Sequence, residues 1–159
     1  MTVQVRRVVT GHDGSGRAVV KIDEVPKNVV SSRPGASACV IWTTDTNPAD
    51  NSGDLDGAAR KVGTTLAGGT VFRVVEFSPG VAPRVHRTDS IDYAVVLSGE
   101  IDMELEKGNE VHLRTGDVLV QRGTVHCWVN RGKAPCVIAF VLVDAKPATA
   151  GGKVLNAFG

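Results

Sequence analysis

From Thr70 to Val143 short β-branched runs alternate with glycine-bearing turns, and that regularity is what most narrows the folds open to this chain. The runs are Val71–Phe77, Arg84–Thr88, Ile91–Leu97, Glu100–Glu106, Glu110–Leu113, Asp117–Gln121, Val125–Asn130 and Cys136–Val143. Between them stand Pro79-Gly80, Ser98-Gly99, Lys107-Gly108-Asn109, Thr115-Gly116, Arg122-Gly123 and Arg131-Gly132-Lys133. Short strands at such spacing build a sandwich or a barrel. Composition agrees: 27 of the 159 residues are valine, which favours pleated strands, while 18 glycines and 7 prolines punctuate them. The sequence predicts an all-β chain. The period of two is cleanest at Ile101, Met103 and Leu105, expected to face inward, against Asp102, Glu104 and Glu106 facing outward.

The first 69 residues read as a β extension and loop packed on the barrel. Val3–Thr10 and Arg17–Asp23 form a hairpin across the glycine-rich turn Gly11–Gly16. Val25–Gly35, with two prolines, reads as a connection, and Ala38–Trp42 as a further strand. The polar stretch 43–69 reads as a functional lid or a mobile segment, with room for one helical turn near Leu55–Val62. Residues 70–145 are the barrel, and 146–159 a tail without periodicity.

Charge excludes one class of function. Lys plus Arg total 18 and Asp plus Glu 17, so there is no cationic excess of the kind a nucleic-acid protein uses to displace counterions. No apolar run reaches the roughly 18 to 20 residues of a membrane span, and the first residues lack the apolar core of a signal peptide. Three cysteines, Cys39, Cys127 and Cys136, without a CxxC pair, fit free thiols in a reducing compartment. The expectation is a cytoplasmic protein with no nucleic-acid or membrane partner.

Alternation along the strands gathers the residues that could carry chemistry. Arg84, His86 and Thr88 share one face, and Asp92, Ala94 and Val96 continue it if no bulge intervenes. A carboxylate beside Ala94 and Val96 is costly unless paired or bound to a cation. His126 comes from a later strand, on the same face as Trp128. Two imidazoles and one carboxylate with open positions form the facial triad of non-haem iron, and also suit zinc, manganese or nickel. The bland alternative makes each histidine a hydrogen-bonded core residue and pairs Asp92 with a turn or with Arg84.

Gly80-x5-His86-x-Thr88-x3-Asp92-x6-Gly99 resembles the first motif of the cupin superfamily. The stretch from Gly116 to His126, followed by x3-Asn130, resembles the second, with 16 residues between the two motifs. The resemblance covers about residues 70 to 143. It implies a jelly-roll barrel holding a divalent metal and assembling as a homodimer, with the N-terminal strands padding the barrel or the dimer interface. His86 and His126 match metal ligands directly. Asp92 matches by charge alone, standing where the family has glutamate, and Thr88 stands where it has a second histidine. Arg122 replaces a proline, and the second motif is one residue short before His126.

Arg84, Arg122 and Gln121 lie beside these positions, and an inward arginine would grip the acid group of a substrate; Arg73 is a further candidate. Trp42 and Trp128 read as core or pocket lining, and Tyr93 as an interface residue. His12 and His112 read as exposed and inert, and Cys127 points away from His126. Gly11–Gly16 lacks the strand, helix and lysine of a phosphate loop, and Asp54–Gly57 lacks the rest of a calcium loop. Two functions remain. One is a metal-dependent enzyme that oxidises, decarboxylates or isomerises a small organic acid or aromatic metabolite. The other is a metal-free barrel that binds or senses a small ligand.

Overall fold

A computed structural model describes residues 4–159. The extension contributes β1 (Arg7–His12), β2 (Ala18–Glu24), β3 (Val29–Arg33) and β4 (Ala36–Thr44). The barrel contributes β5 (Thr70–Phe77), β6 (Ser90–Ser98), β7 (Glu100–Glu104), β8 (Glu110–Arg114), β9 (Val118–Arg122), β10 (Cys127–Val129) and β11 (Cys136–Asp144). The tail adds β12 (Ala148–Ala150) and β13 (Lys153–Leu155). A six-stranded sheet runs β3-β4-β5-β11-β6-β9 and a three-stranded one β10-β7-β8, while β1-β2 and β12-β13 are separate hairpins. This is the expected jelly roll with its N-terminal hairpin extension. Among the described residues no helix is long and apolar enough to cross a membrane.

One core joins the inner faces of both sheets. Val71, Phe77, Ala94, Val96, Ile138, Phe140 and Leu142 come from the larger sheet, and Ile101, Met103, Leu113 and Trp128 from the smaller. Burying a side chain of this size contributes about 1.5 to 3 kcal/mol. The register aligns two inward rows: Leu142 lies opposite Val71 and Asp92, and Phe140 opposite Arg73 and Ala94. The outer face of the larger sheet is padded by the N-terminus, with Val5, Val29, Ile41, Val137 and Ala139 packed around Cys39 and Val74.

Segment 43–69 is anchored at Thr43 and around Asp56. The buried Arg7 guanidinium makes two 2.8 Å bonds to Asp56 and one of 2.6 Å to Glu24, and Thr43 Oγ1 donates to the Gly57 carbonyl at 2.6 Å. The helical turn shrinks to a single 3-10 turn at Gly57–Ala59, capped by Asp56.

Several expectations are corrected. Val3, where the first strand was expected to begin, lies outside the described residues. Val25–Gly35 holds strand β3, because Pro26 and Pro34 flank the ladder without interrupting it and Val29 to Arg33 pairs with β4. Arg84–Thr88 is no ladder strand: only His86 bridges to His126 and Arg87 to Phe158. Leu105 is 37% exposed, because β7 stops at Glu104 and the chain turns into a 3-10 segment. The tail forms a hairpin whose two-residue turn, Gly151-Gly152, has both φ angles positive (57° and 73°), the geometry a tight hairpin needs.

Candidate functional site

The two histidines expected from the sequence meet inside the barrel. His86 and His126 exchange backbone hydrogen bonds of 3.1 and 3.0 Å, and their ring centroids lie 4.2 Å apart. Each Nδ1–H donates to the carbonyl two residues back, His86 to Arg84 at 3.1 Å and His126 to Thr124 at 3.0 Å. That arrangement fixes the tautomer and leaves both Nε2 lone pairs for a ligand. His86 is 7% and His126 3% exposed. Burial, with His126 as the next cause, pushes His86 down to about 4. Burial also lowers His126, so both rings are neutral near pH 7.

Asp92 lines the same cavity, 5% exposed. Burial raises its pKa, opposed by a hydrogen bond donated by Ser90 and by the charge of Arg73. The cation Asp92 feels is therefore Arg73, from β5 two strands away, and not Arg84. Arg73 donates to the carbonyls of Gly63 and Thr64. Arg84 reaches the cavity as expected, donating to the Gly159 carbonyl at 2.7 Å and lying 3.4 Å from Thr64 Oγ1.

Gln121 also lines the cavity, directly across from Asp92. Its Nε2 bonds Thr124 Oγ1, and its buried Oε1 has no partner. Arg122 is corrected: with Gln121 inward, strand alternation turns Arg122 outward, where it is exposed. Thr88 is buried with an unpartnered Oγ1 but stands off the cavity lining. Trp128 lines the cavity, stacked 5.9 Å from Phe77 and edge-on to Phe140 at 5.6 Å. Trp42 lines a groove beside the N-terminal hairpin instead. His112, exposed as expected, is not idle: its Nδ1 bonds Asp102 at 2.7 Å, which raises its pKa.

Sequence reasoning missed Arg33. It enters from β3, with its guanidinium carbon 5.9 Å above the Phe77 ring and its buried Nε without a partner. The signal available was the Val29-Val30 run bounded by two prolines.

The resemblance implies a metal, and its fit can be tested on the donors. Two imidazoles with free Nε2 atoms suit one. A third donor does not join them: among the described residues no three His, Cys, Asp or Glu side chains lie close enough together to hold an ion. Arg33 and Arg84 add positive potential felt at His86, which disfavours a cation and favours an anion. The residues do not fit a three-ligand metal centre.

A family model described as "Cupin domain" matches residues 73–143. The chain is 40% identical over 160 residues to phomopsin biosynthesis cluster protein C' of Diaporthe leptostromiformis, across 94% of this chain and 84% of that protein. It is 33% identical over 162 residues to the cupin-domain-containing oxidoreductase fogC of Aspergillus ruber, across 98% of this chain and 80% of that one. Among solved structures, the cupin domain of Schizosaccharomyces pombe Cnp3 matches with a TM-score of 0.54 at 13% identity, covering 87% of each chain. At that identity the likeness carries the fold alone.

Proposed function

The chain belongs to the cupin family, and from that premise we propose an enzyme of the oxidoreductase kind, acting on a small organic acid or aromatic metabolite in the barrel cavity. One observation carries this: two neutral, buried imidazoles present free Nε2 atoms to a cavity walled by Trp128, Phe77 and Phe140. The cavity volume is about 90 Å³, below the roughly 300 Å³ at which drug-sized sites begin, so the ligand is small. That the fogC relative is an oxidoreductase supports the reaction class.

In this reading the aromatic walls seat the body of the substrate and exclude water from it. Nε2 of His86 or His126 takes the hydroxyl proton of the carbinol being oxidised, while the hydrogen on that carbon leaves as hydride to a diffusible nicotinamide or flavin acceptor. An imidazole held at about 4 is a weak base in the empty cavity. A bound anion offsets the burial and the nearby arginines, raising its basicity once substrate is in place. Gln121, with a free carbonyl oxygen, orients a hydroxyl donor.

A second reading is a barrel that binds its ligand without turning it over. It is favoured by the weak basicity of His86 and by the missing third donor beside the imidazoles. Mass spectrometry separates the two. Purified wild type and a His86→Ala/His126→Ala double variant are incubated with a library of small acids and phenols, with oxygen, nicotinamide and flavin acceptors supplied. A product made by wild type and not by the variant supports the enzyme. Compounds that bind and return unchanged throughout the library overturn it in favour of the second reading.

A further inference from the structure

We propose that the cavity selects an aromatic carboxylate, and that Arg33, delivered by the N-terminal extension, is the residue that sets this preference together with Arg84. The inference rests on the reading of the cavity as a metabolite site and names the ligand class it takes.

Three guanidiniums, those of Arg33, Arg73 and Arg84, line one cavity against a single carboxyl, Asp92. Arg73 is accounted for by two backbone carbonyls and by the charge of Asp92. Arg84 donates to the backbone oxygen of Gly159 at 2.7 Å and lies 3.4 Å from the Thr64 hydroxyl. Arg33 forms no ion pair and no side-chain hydrogen bond among the described residues, and its buried Nε is unpartnered. Each of these two lies near enough to oppose the other's charge: the field of Arg84, after burial, lowers Arg33.

A guanidinium such as that of Arg33, set in a half-buried wall beside a second cation and with no acid of its own, leaves a vacancy for one. The planar guanidinium fork fits a carboxylate by paired N–H···O bonds. Arg33 already stacks over Phe77, which itself stacks on Trp128. A ring attached directly or by a short spacer to the carboxylate meets aromatic faces while its acid group meets the guanidiniums. A compact inorganic anion would satisfy the charge but leave those faces unused. The imidazole pair then lies beside the ring rather than beside the acid group, since Trp128 is edge-on to His126 with centroids 6.0 Å apart.

The test is calorimetric titration of the full chain with benzoate and cinnamate, each paired with its neutral amide, at pH 7.5. Wild type, Arg33→Gln, Arg33→Lys and the outward-facing Arg122→Gln are compared. The acids should bind wild type at least about tenfold tighter than the amides. Arg33→Gln should erase most of that ratio while leaving amide binding in place, Arg33→Lys should restore part of it, and Arg122→Gln should match wild type. Amides binding as tightly as acids, or an unchanged ratio in Arg33→Gln, overturns the inference alone. Failure of all four compounds to bind wild type overturns the reading of the cavity as a metabolite site as well, and the inference with it.

Discussion

Lowering the pH of chelator-treated protein from 7 to 5 protonates an imidazole in the unfolded chain that stays neutral in the folded one. An unfolded histidine titrates near 6.5, whereas His86 is held at about 4 by burial and by His126. Between those values the unfolded state binds more protons, so stability falls as pH falls. For His86 alone the step from pH 7 to pH 5 costs about 2 kcal/mol. His126, shifted in the same direction, adds to it. Asp92 opposes both, since its raised pKa lets the folded protein take up a proton before the unfolded chain does. With urea slopes of about 1 to 3 kcal/mol per molar for small domains, the midpoint should drop by roughly 1 M more than carboxylate titration alone produces. Replacing His86 by Gln removes this term and leaves every carboxylate in place, so the comparison isolates it. His86→Gln should lose about 2 kcal/mol less than wild type over the same pH step. Parallel pH profiles for the two proteins would refute the assignment of a buried, neutral His86.

Three other expectations follow from particular contacts. Asn130, fully buried, donates to the carbonyls of Phe77 and Ala134 and accepts from the Gly132 amide. Asn130→Ala strands all three groups and should cost about 3 kcal/mol in denaturant unfolding; a cost under about 1 kcal/mol would contradict that role. Protein purified without a histidine tag should retain well under one equivalent of iron, zinc, manganese or nickel after gel filtration. A full equivalent, lost in His86→Ala, would overturn the reading of the donor set. Edge strand β9 exposes Val118 (74%) and Val120 (55%), opposite Val95 and Tyr93 on β6. Such an apolar edge needs cover, so ultracentrifugation should show a homodimer that Val118→Lys/Val120→Lys dissociates; a monomeric wild type at micromolar concentration would contradict this.

What could be read from the sequence was what depends on local pattern. Period-two alternation placed Asp92, Ala94 and Val96 inward and Tyr93, Val95 and Leu97 outward, as found. Gly99 of the first motif stands where φ is 77° and an added Cβ would come within 2.5 Å of the Pro135 carbonyl oxygen, so a glycine there is a steric necessity. What could not be read depends on partners distant in sequence. Strand β3 exists because β4 pairs with it, and only that pairing brings Arg33 to the cavity. Asp92 meets the field of Arg73 because β11 sets the register of β5 and β6 on either side of it. The tail hairpin carried a readable signal in Gly151-Gly152, hidden by strands of only three residues. Arg122 and Gln121 could not both face the cavity, and alternation alone excluded one of them.

In the proposed reading His86, His126 and the arginines around them form one anion-selective ligand site. A crystal structure grown with cinnamate tests it directly. The carboxylate should lie on the guanidiniums of Arg33 and Arg84, with the ring against Trp128 and Phe77. Cinnamate bound only elsewhere on the protein, or seated in the cavity with its carboxylate turned away from both arginines, would contradict it.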